Sequence, residues 1–304
     1  MTTQSGVFRE IRFSARDGLR LYGRHYPARA YSGRRPVLCL AGLTRNSKDF
    51  HDAATALSSH AQVPRDVFTL DMRGRGQSDH DGDWKNYTVP NETHDVIDFM
   101  TMMELAETGF IGTSRGGLIT MVLAALQPSR IGAVVLNDIG PVIETDGLVR
   151  IAGYVGRMPN PKSWADAGRM IRDLTKRDFP LLTEAGAEAF ARQLFNEKNG
   201  RPVTGYDSKL SRSLSVLDGP MPQLWPQFEA MKKVPLLVIR GENSDLLSVK
   251  TLEEMHKRHP MMASYTAKNE GHAPLLWDTP AIDEITSFFA NTDAQAHSKR
   301  TAAA

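Results

Sequence analysis

Short apolar runs alternate with longer amphipathic segments along most of this chain. Near its start, residues 7–13 and 19–26 alternate between apolar and polar about the turn Arg16-Asp17-Gly18, which predicts an antiparallel hairpin. Continuous apolar runs follow, as expected for strands of a parallel sheet that is covered on both faces. These runs are residues 36–40, 66–70, the run that ends at Ile111, 131–136 and 235–240.

The segments between these runs carry apolar residues at three- and four-residue spacing, which predicts helices. The predicted helices are residues 47–59, 89–105, 118–126, 249–258 and 281–289. Strands and helices in alternation indicate an α/β fold with a mostly parallel, doubly wound sheet. In such a sheet the functional groups lie at the carboxyl ends of the strands.

The pattern changes between about residues 142 and 233, where helical stripes occur with no strand-like run among them. A long helical insertion between two strands of a sheet predicts a cap. We therefore expect a core of residues 1–141 and 234–290, a helical cap of residues 142–233, and a flexible tail of residues 291–304.

Composition and charge exclude several classes of binding partner and of structural site. A chain of 304 residues with a net charge of +2 and spread basic residues does not favour binding of nucleic acid or an anionic membrane surface. Its single cysteine, Cys39, excludes an internal disulfide and a cysteine-based metal cluster. No run approaches the roughly 18 apolar residues of a membrane span, and the first ten residues are polar. We expect a soluble cytoplasmic protein, either a monomer or a homodimer, with a small-molecule partner.

One pentapeptide carries the strongest chemical signal. Gly112-Thr113-Ser114-Arg115-Gly116 matches G-x-S-x-G and lies between a short apolar run and a long apolar helix. This is the context of a nucleophile elbow, in which a serine occupies a strained turn and the flanking glycines leave room for the bend. A glycine-rich turn with a helix-capping serine is the plainer alternative. The flanking strand and helix favour the elbow.

Together with three further motifs, the elbow resembles the α/β-hydrolase fold, in particular enzymes of the carboxylesterase and lactonase type. The motifs are D-x-R-G-x-G-x-S-D at residues 71–79, G-E-x-S-D at 241–245 and G-H-A-P at 271–274. The resemblance runs from Val7 to about Ala290. It implies an α/β-hydrolase fold with an inserted helical cap, and catalytic residues in the order serine, acid, histidine.

Serine catalysis needs a base and an acid, since the imidazole must take the hydroxyl proton and a carboxylate must orient the imidazole. Ser114 is the candidate nucleophile, and His272 is the candidate base because it lies in the loop after the last predicted strand. Asp138 and Asp245 both follow sheet strands, and both positions serve as the acid in the family resembled. We favour Asp245, which lies in G-E-x-S-D, and keep Asp138 as the alternative, since aspartates also brace turns.

The resemblance also implies an oxyanion hole formed by the backbone N–H groups of Leu43 and Arg115. Many relatives have His-Gly before the first donor, where this chain has Ala41-Gly42. A backbone donor survives that difference. We expect Arg45 or Asn46 to hold the loop in place of the histidine side chain.

Two arginines, Arg73 and Arg75, stand within the motif at residues 71–79. The guanidinium group of an arginine has several N–H donors, and it commonly links neighbouring loop segments by hydrogen bonds. We therefore expect both side chains to brace this turn and not to bind substrate.

The apolar stripes of the predicted cap admit two interpretations. They either pack the cap on the core, as amphipathic helices do, or line an acyl or aromatic pocket. The candidate pocket residues are Tyr154, Trp164, Met170 and Trp225.

These features predict a serine hydrolase that uses no metal or other cofactor. It would cleave carboxylic esters with short to medium acyl groups, or lactones or polyester oligomers, through an acyl-enzyme on Ser114. The ester comes from the resemblance, because the triad alone indicates only acyl transfer. The alternatives are a C–C bond hydrolase, a cofactor-free perhydrolase, and a ligand-binding receptor with weak turnover.

Overall fold

A nine-stranded sheet runs through the part of the chain described by the structure, a computed structural model that covers residues 4–218 and 222–302. Nine of the described strands form this sheet, and two more, β8 and β9, form a separate hairpin. In chain order the strands are β1 (Gln4–Ser5), β2 (Phe8–Ser14), β3 (Arg20–Tyr26), β4 (Val37–Leu40), β5 (Val67–Asp71), β6 (Thr108–Thr113), β7 (Ile131–Asn137), β8 (Asn196–Lys198), β9 (Arg201–Val203), β10 (Leu236–Gly241) and β11 (Ala263–Ala267). The sheet order is β1-β2-β3-β5-β4-β6-β7-β10-β11, and β8 pairs only with β9. Pairing is parallel from β5 to β11 and antiparallel from β1 to β5, which confirms the predicted doubly wound sheet with an edge hairpin.

Helices connect the parallel strands and cover both faces of the sheet. They are α1 (His51–Ser59), α2 (Val89–Met102), α3 (Arg115–Leu126), α4 (Thr145–Tyr154), α5 (Trp164–Thr175), α6 (Glu184–Leu194), α7 (Trp225–Glu229), α8 (Val249–Arg258) and α9 (Thr279–Ala302). Short 3-10 helices span Ser47–Phe50, Trp84–Asn86, Pro128–Arg130 and Ser208–Asp218.

The apolar strands build two cores because successive side chains in a strand point to opposite faces. In β6, Phe110 packs with Phe99 of α2 on one face, whereas Ile111 packs with Phe289 of α9 on the other. Every residue of β4 to β7 in the parallel region is buried. The continuous apolar runs of the sequence therefore correspond to strands that are covered on both sides.

The inserted segment, residues 142–233, holds a third apolar cluster. Ile171 of α5 and Phe190 of α6 pack there with Phe179, and Leu275 from the loop after β11 joins them. The prediction that this segment has no strand is wrong, because β8 and β9 form a hairpin. Asn199 and Gly200 connect them with φ values of +51° and +73°, as a type I′ turn requires.

The last helix continues well beyond its predicted end at residue 289. Its backbone is helical to Ala302, which the sequence pattern did not predict, and residues 303–304 lie outside the described part. The flexibility expected of residues 291–304 stays a prediction. Thr292 and Asp293 are buried, and Asp293 Oδ2 accepts a hydrogen bond of 2.9 Å from buried Arg65 Nη2. This ion pair joins the beginning of the segment that was expected to be a tail to Arg65 in the core domain. Within the described residues, none of the helices has the length and apolar character needed to cross a membrane.

Candidate active site

Ser114 occupies the sharp turn between β6 and α3. Its φ of +51° and ψ of −117° lie in a region that side chains larger than glycine rarely adopt. A Cβ at Gly112 would lie 2.7 Å from Gly117 Cα, and one at Gly116 would overlap Leu40 O. The turn thus needs both glycines of G-x-S-x-G, and it presents the hydroxyl at the carboxyl end of β6.

His272 links Ser114 to Asp138. The distance from His272 Nε2 to Ser114 Oγ is 2.8 Å, and the distance from His272 Nδ1 to Asp138 Oδ2 is also 2.8 Å. The imidazole is 7% exposed and the Asp138 carboxylate is fully buried. An ionised carboxylate only accepts hydrogen bonds, so Nδ1 carries the proton and Nε2 is left to accept from the serine hydroxyl.

Asp138 is held in this orientation by further donors. Its φ is +56°, and Oδ1 accepts from the backbone N–H of Gly241 at 2.8 Å. Oδ2 accepts from Ser244 Oγ at 2.6 Å as well as from the imidazole. The turn-bracing contacts expected of Asp138 are therefore present, but the same carboxylate also binds His272.

The prediction that Asp245 partners His272 is wrong. Asp245 forms a bidentate ion pair with Arg150 of α4, with Nε to Oδ2 at 2.7 Å and Nη2 to Oδ1 at 2.9 Å. Arg150 also contacts Asp178 at 3.1 Å. Burial alone would raise the pKa of Asp245, but the Arg150 guanidinium outweighs this and lowers it. Asp245 thus ties the inserted segment to the loop after β10.

The two predicted oxyanion donors flank Ser114. Leu43 lines the same cavity as Ser114 and His272, and Arg115 begins α3, where its N–H has no helical acceptor. Among the described backbone hydrogen bonds of turns, loops and helix ends, neither of these two N–H groups donates to a carbonyl. The loop of Leu43 is held in part by the Arg45 N–H, which donates to Gly42 O at 3.1 Å. Asn46 instead caps the following 3-10 helix.

Arg73 and Arg75 brace the turn of residues 71–79 as expected. Arg73 binds Asp95 through Nε at 2.7 Å and Nη2 at 2.6 Å, and it also binds Asp81 at 2.8 Å. Arg75 Nη1 donates to Arg73 O at 2.6 Å. Arg75 has a further contact that the sequence did not indicate, since its Nε donates to Leu43 O at 2.8 Å.

Two adjoining cavities meet at Tyr154 and His272. The serine cavity is lined by Leu43, Ser114, Tyr154 and His272, among others. The insert cavity shares Tyr154 and His272 and extends below the inserted segment. Its apolar lining residues from α5, α6 and their neighbours include Ile171, Leu174, Phe179, Phe190 and Leu194.

Of the four predicted pocket residues, Tyr154 lines both cavities, whereas Trp164, Met170 and Trp225 line neither of them. Trp164 lies against Arg192, whose Cζ is 4.5 Å from the ring centroid. Met170 is half-buried on α5 and lines neither cavity. Trp225 is partly buried and packs edge-on against Phe228 of the main core, with ring centroids 5.9 Å apart. An apolar stripe identifies a buried helix face, but not what lies opposite that face.

Glu270 supports the loop that carries His272. Its Oε2 accepts from the Leu275 N–H at 2.8 Å. Burial raises the pKa of Glu270 to about 7, and the nearby carboxylates of Asp278 and Asp138 act in the same direction. The loop therefore contains a carboxyl group that titrates near neutral pH.

Among the described residues, no group of three or more histidine, cysteine, aspartate or glutamate side chains has a geometry that could hold a metal ion. The described site consists of hydroxyl, imidazole, carboxylate and backbone N–H groups.

Comparison with known proteins identifies the family to which this fold belongs. A model of the α/β-hydrolase-fold family matches residues 35–279, which is most of the chain. The chain belongs to the α/β-hydrolase family. The family assignment and the fold that the motifs predicted are thereby confirmed, and the protein is a hydrolase.

Several relatives of this α/β hydrolase have named activities. The 3-hydroxybutyrate-oligomer hydrolase of Cupriavidus necator is 30% identical over 269 residues, covering 84% of this chain and 88% of the relative. The esterase YbfF of Escherichia coli is 28% identical and covers 68% of this chain and 75% of its own. A crystal structure of an α/β hydrolase from Novosphingobium aromaticivorans superposes with a TM-score of 0.87 at 36% identity, covering 94% of this chain and 99% of that one.

Sequence reasoning missed two charged groups at the site of this hydrolase. Glu92, near the start of α2, is fully buried and binds both Arg75 and Arg115. Arg150 pairs with the aspartate expected to be catalytic. The G-E-x-S-D motif gave no hint of this pairing, because the partner lies 95 residues away in the inserted segment.

Proposed function

We propose that this α/β hydrolase is a serine hydrolase that cleaves carboxylic esters through an acyl-enzyme on Ser114. The observation that carries the proposal is the contact of His272 with Ser114 Oγ on one side and Asp138 Oδ2 on the other, each at 2.8 Å. Those contacts have the order and spacing that base-activated serine catalysis needs.

In the proposed reaction, Ser114 Oγ attacks the ester carbonyl carbon while its proton passes to His272 Nε2. The carbonyl oxygen becomes an oxyanion, which accepts hydrogen bonds from the N–H groups of Leu43 and Arg115. Collapse of the tetrahedral intermediate breaks the bond to the alcohol oxygen, which takes the proton from His272. Asp138 holds the imidazole in the required tautomer and stabilises its cation.

Hydrolysis of the acyl-enzyme repeats these steps with water. His272 Nε2 takes a proton from the water as its oxygen attacks the acyl carbon, and the same oxyanion donors bind the second intermediate. Breakage of the bond to Ser114 Oγ returns the proton to the serine and releases the carboxylic acid. The cycle needs no redox step and no further group.

The substrate class is proposed from the cavities. The insert cavity is small, with a volume of about 80 Å³, and it adjoins the serine cavity at Tyr154 and His272. Its apolar walls suit an acyl chain of short to medium length, and we regard the inserted segment as a cap over the site. The relative that is named a 3-hydroxybutyrate-oligomer hydrolase adds short polyester oligomers as a candidate substrate.

A substrate panel tests the proposal. Turnover is measured on p-nitrophenyl esters of increasing chain length, on lactones and on 3-hydroxybutyrate oligomers, with Ser114→Ala as the matched control. Ester or oligomer hydrolysis that is lost in Ser114→Ala supports the proposal. Cleavage of diketones alone, peracid formation in place of hydrolysis, or ligand binding without turnover would each replace it.

A further inference from the structure

A buried Arg-Glu-Arg bridge lies behind the proposed oxyanion hole. Glu92 Oε1 accepts from Arg75 Nη1 at 2.6 Å, and Glu92 Oε2 accepts from Arg115 Nε at 2.6 Å. Arg115 Nη2 adds a contact of 3.2 Å to Oε1 and one of 2.9 Å to Tyr87 O. The carboxylate of Glu92 is fully buried, and the two guanidinium groups are 1% and 13% exposed.

Each arm of this bridge ends at one of the two proposed oxyanion donors. Arg115 is itself a donor residue, so its side chain and its backbone N–H belong to the same residue at the start of α3. Arg75 reaches the other loop, because its Nε donates to Leu43 O at 2.8 Å. One carboxylate on α2 therefore connects the loop after β4 with the turn after β6.

The opposite charges of Glu92 and the two arginines restrict these three side chains to one arrangement. Burial alone would raise the pKa of Glu92, but Arg115 and Arg75 outweigh it and hold the pKa below its ordinary value. Leaving one member of such a buried set without its partner is costly, so the three side chains keep one arrangement. Two guanidinium groups around one carboxylate also leave an excess of one positive charge next to the place where the oxyanion forms.

We propose that Glu92 is a positioning residue for the oxyanion hole. Acting through Arg75 and Arg115, it fixes the distance between the Leu43 and Arg115 N–H groups at the value that the tetrahedral intermediate needs. Such preorganisation lowers the free energy of the transition state more than that of the bound ester. This inference rests on the serine hydrolase function proposed above.

Asp95 supplies a matched control on the same helix. It lies one turn after Glu92, is 1% exposed, and forms a bidentate pair with Arg73 at 2.7 Å and 2.6 Å. Among the described contacts, the Arg73 side chain binds Asp17, Asp81 and Asp95, and neither oxyanion loop. Burial raises the pKa of Asp95 to about 6, so the comparison is made at a pH well above that value, where both carboxylates are charged. Under that condition Glu92→Gln and Asp95→Asn each remove one buried negative charge, but only the first disturbs the donors.

The experiment compares wild type, Glu92→Gln and Asp95→Asn on the p-nitrophenyl ester that wild type hydrolyses fastest. Active sites are titrated with a fluorophosphonate, so that kcat refers to folded enzyme. We expect Glu92→Gln to lower kcat by roughly tenfold to a hundredfold with KM changed by less than about threefold, since donors are displaced but not removed. Its affinity for a trifluoromethyl ketone, which mimics the tetrahedral intermediate, should fall in parallel. Asp95→Asn should lower the melting temperature but keep kcat within about threefold of wild type.

Equal kcat values for Glu92→Gln and Asp95→Asn, or a loss confined to KM, would overturn the inference. If Glu92→Gln does not fold, Arg115→Met takes its place, since it keeps the backbone donor and removes one arm of the bridge. It should show the same loss of kcat and of ketone affinity, and an unchanged kcat would overturn the inference. The proposed function fails separately, if Ser114→Ala retains wild-type turnover or wild type has none.

Discussion

Changing Asp138 to asparagine should remove nearly all turnover. In the wild type, Oδ1 accepts from the Gly241 N–H and Oδ2 accepts from His272 Nδ1. Asparagine has one oxygen, and we expect it to keep the backbone donor, which leaves the amide NH₂ facing the imidazole. His272 Nδ1 must then accept, so Nε2 carries the proton and can no longer take one from Ser114.

The magnitude follows from that tautomer. Holding a triad imidazole in the wrong tautomer costs about ten-thousand-fold in kcat, a value measured for the corresponding change in a serine protease. This is about 5 kcal/mol in the activation barrier. The geometry of Asp138→Asn should otherwise be kept, so the folded protein should still bind substrate.

Asp245→Asn is the matched comparison. It weakens the Arg150 pair, whose guanidinium is 25% exposed, so we expect a loss of about 1–3 kcal/mol in the free energy of unfolding. Its kcat should stay within about tenfold of wild type, since its carboxylate does not contact His272. Turnover of a p-nitrophenyl ester and urea unfolding decide between the two. The reasoning is refuted if Asp138→Asn retains kcat within tenfold of wild type while Asp245→Asn is inactive but stable.

Three further predictions concern pH, metals and substrate size. Folding raises the pKa of Glu270 from 4.5 to about 7, so the protonated carboxyl group stabilises the fold fully below pH 4.5, and this contribution is lost as the pH rises to 7. Relative to Glu270→Gln, wild type should therefore lose about 3 kcal/mol of unfolding free energy over that interval. If urea unfolding gives the same pH dependence for both proteins, this prediction is contradicted. Ester hydrolysis should survive dialysis against EDTA, because the proposed steps use only protein groups, and loss of turnover with rescue by zinc or magnesium would count against it. Soluble short-chain esters should be hydrolysed faster than emulsified long-chain triglyceride, since the insert cavity is covered by α5 and α6, and the opposite preference would show that the inserted segment does not restrict the substrate.

The parts of the fold that follow from local pattern were predictable from the sequence. Apolar runs identified the parallel strands, and the glycines around Ser114 identified the elbow, because strand burial and tight turns depend on residues close in the chain. Asn199-Gly200 is an equally local hairpin signal between β8 and β9, although the helical stripes on either side of it predict no strand.

The choice between Asp138 and Asp245 was not local. Both aspartates follow sheet strands, and their roles are separated by the positive φ of Asp138 and by Arg150 on α4. Glu92 is a similar case, since in the sequence it is an acidic residue in the first turn of a helix. Its burial between two arginines depends on how α2, α3 and the turn of residues 71–79 pack together.

The central claim is that a base-activated serine carries the acyl group. Its most direct test is mass spectrometry of the protein after brief treatment with a fluorophosphonate, followed by peptide mapping. The account predicts one adduct per chain, located on Ser114, absent in Ser114→Ala, and formed far more slowly in His272→Ala. An adduct on another residue, or equal labelling of Ser114→Ala, would contradict it.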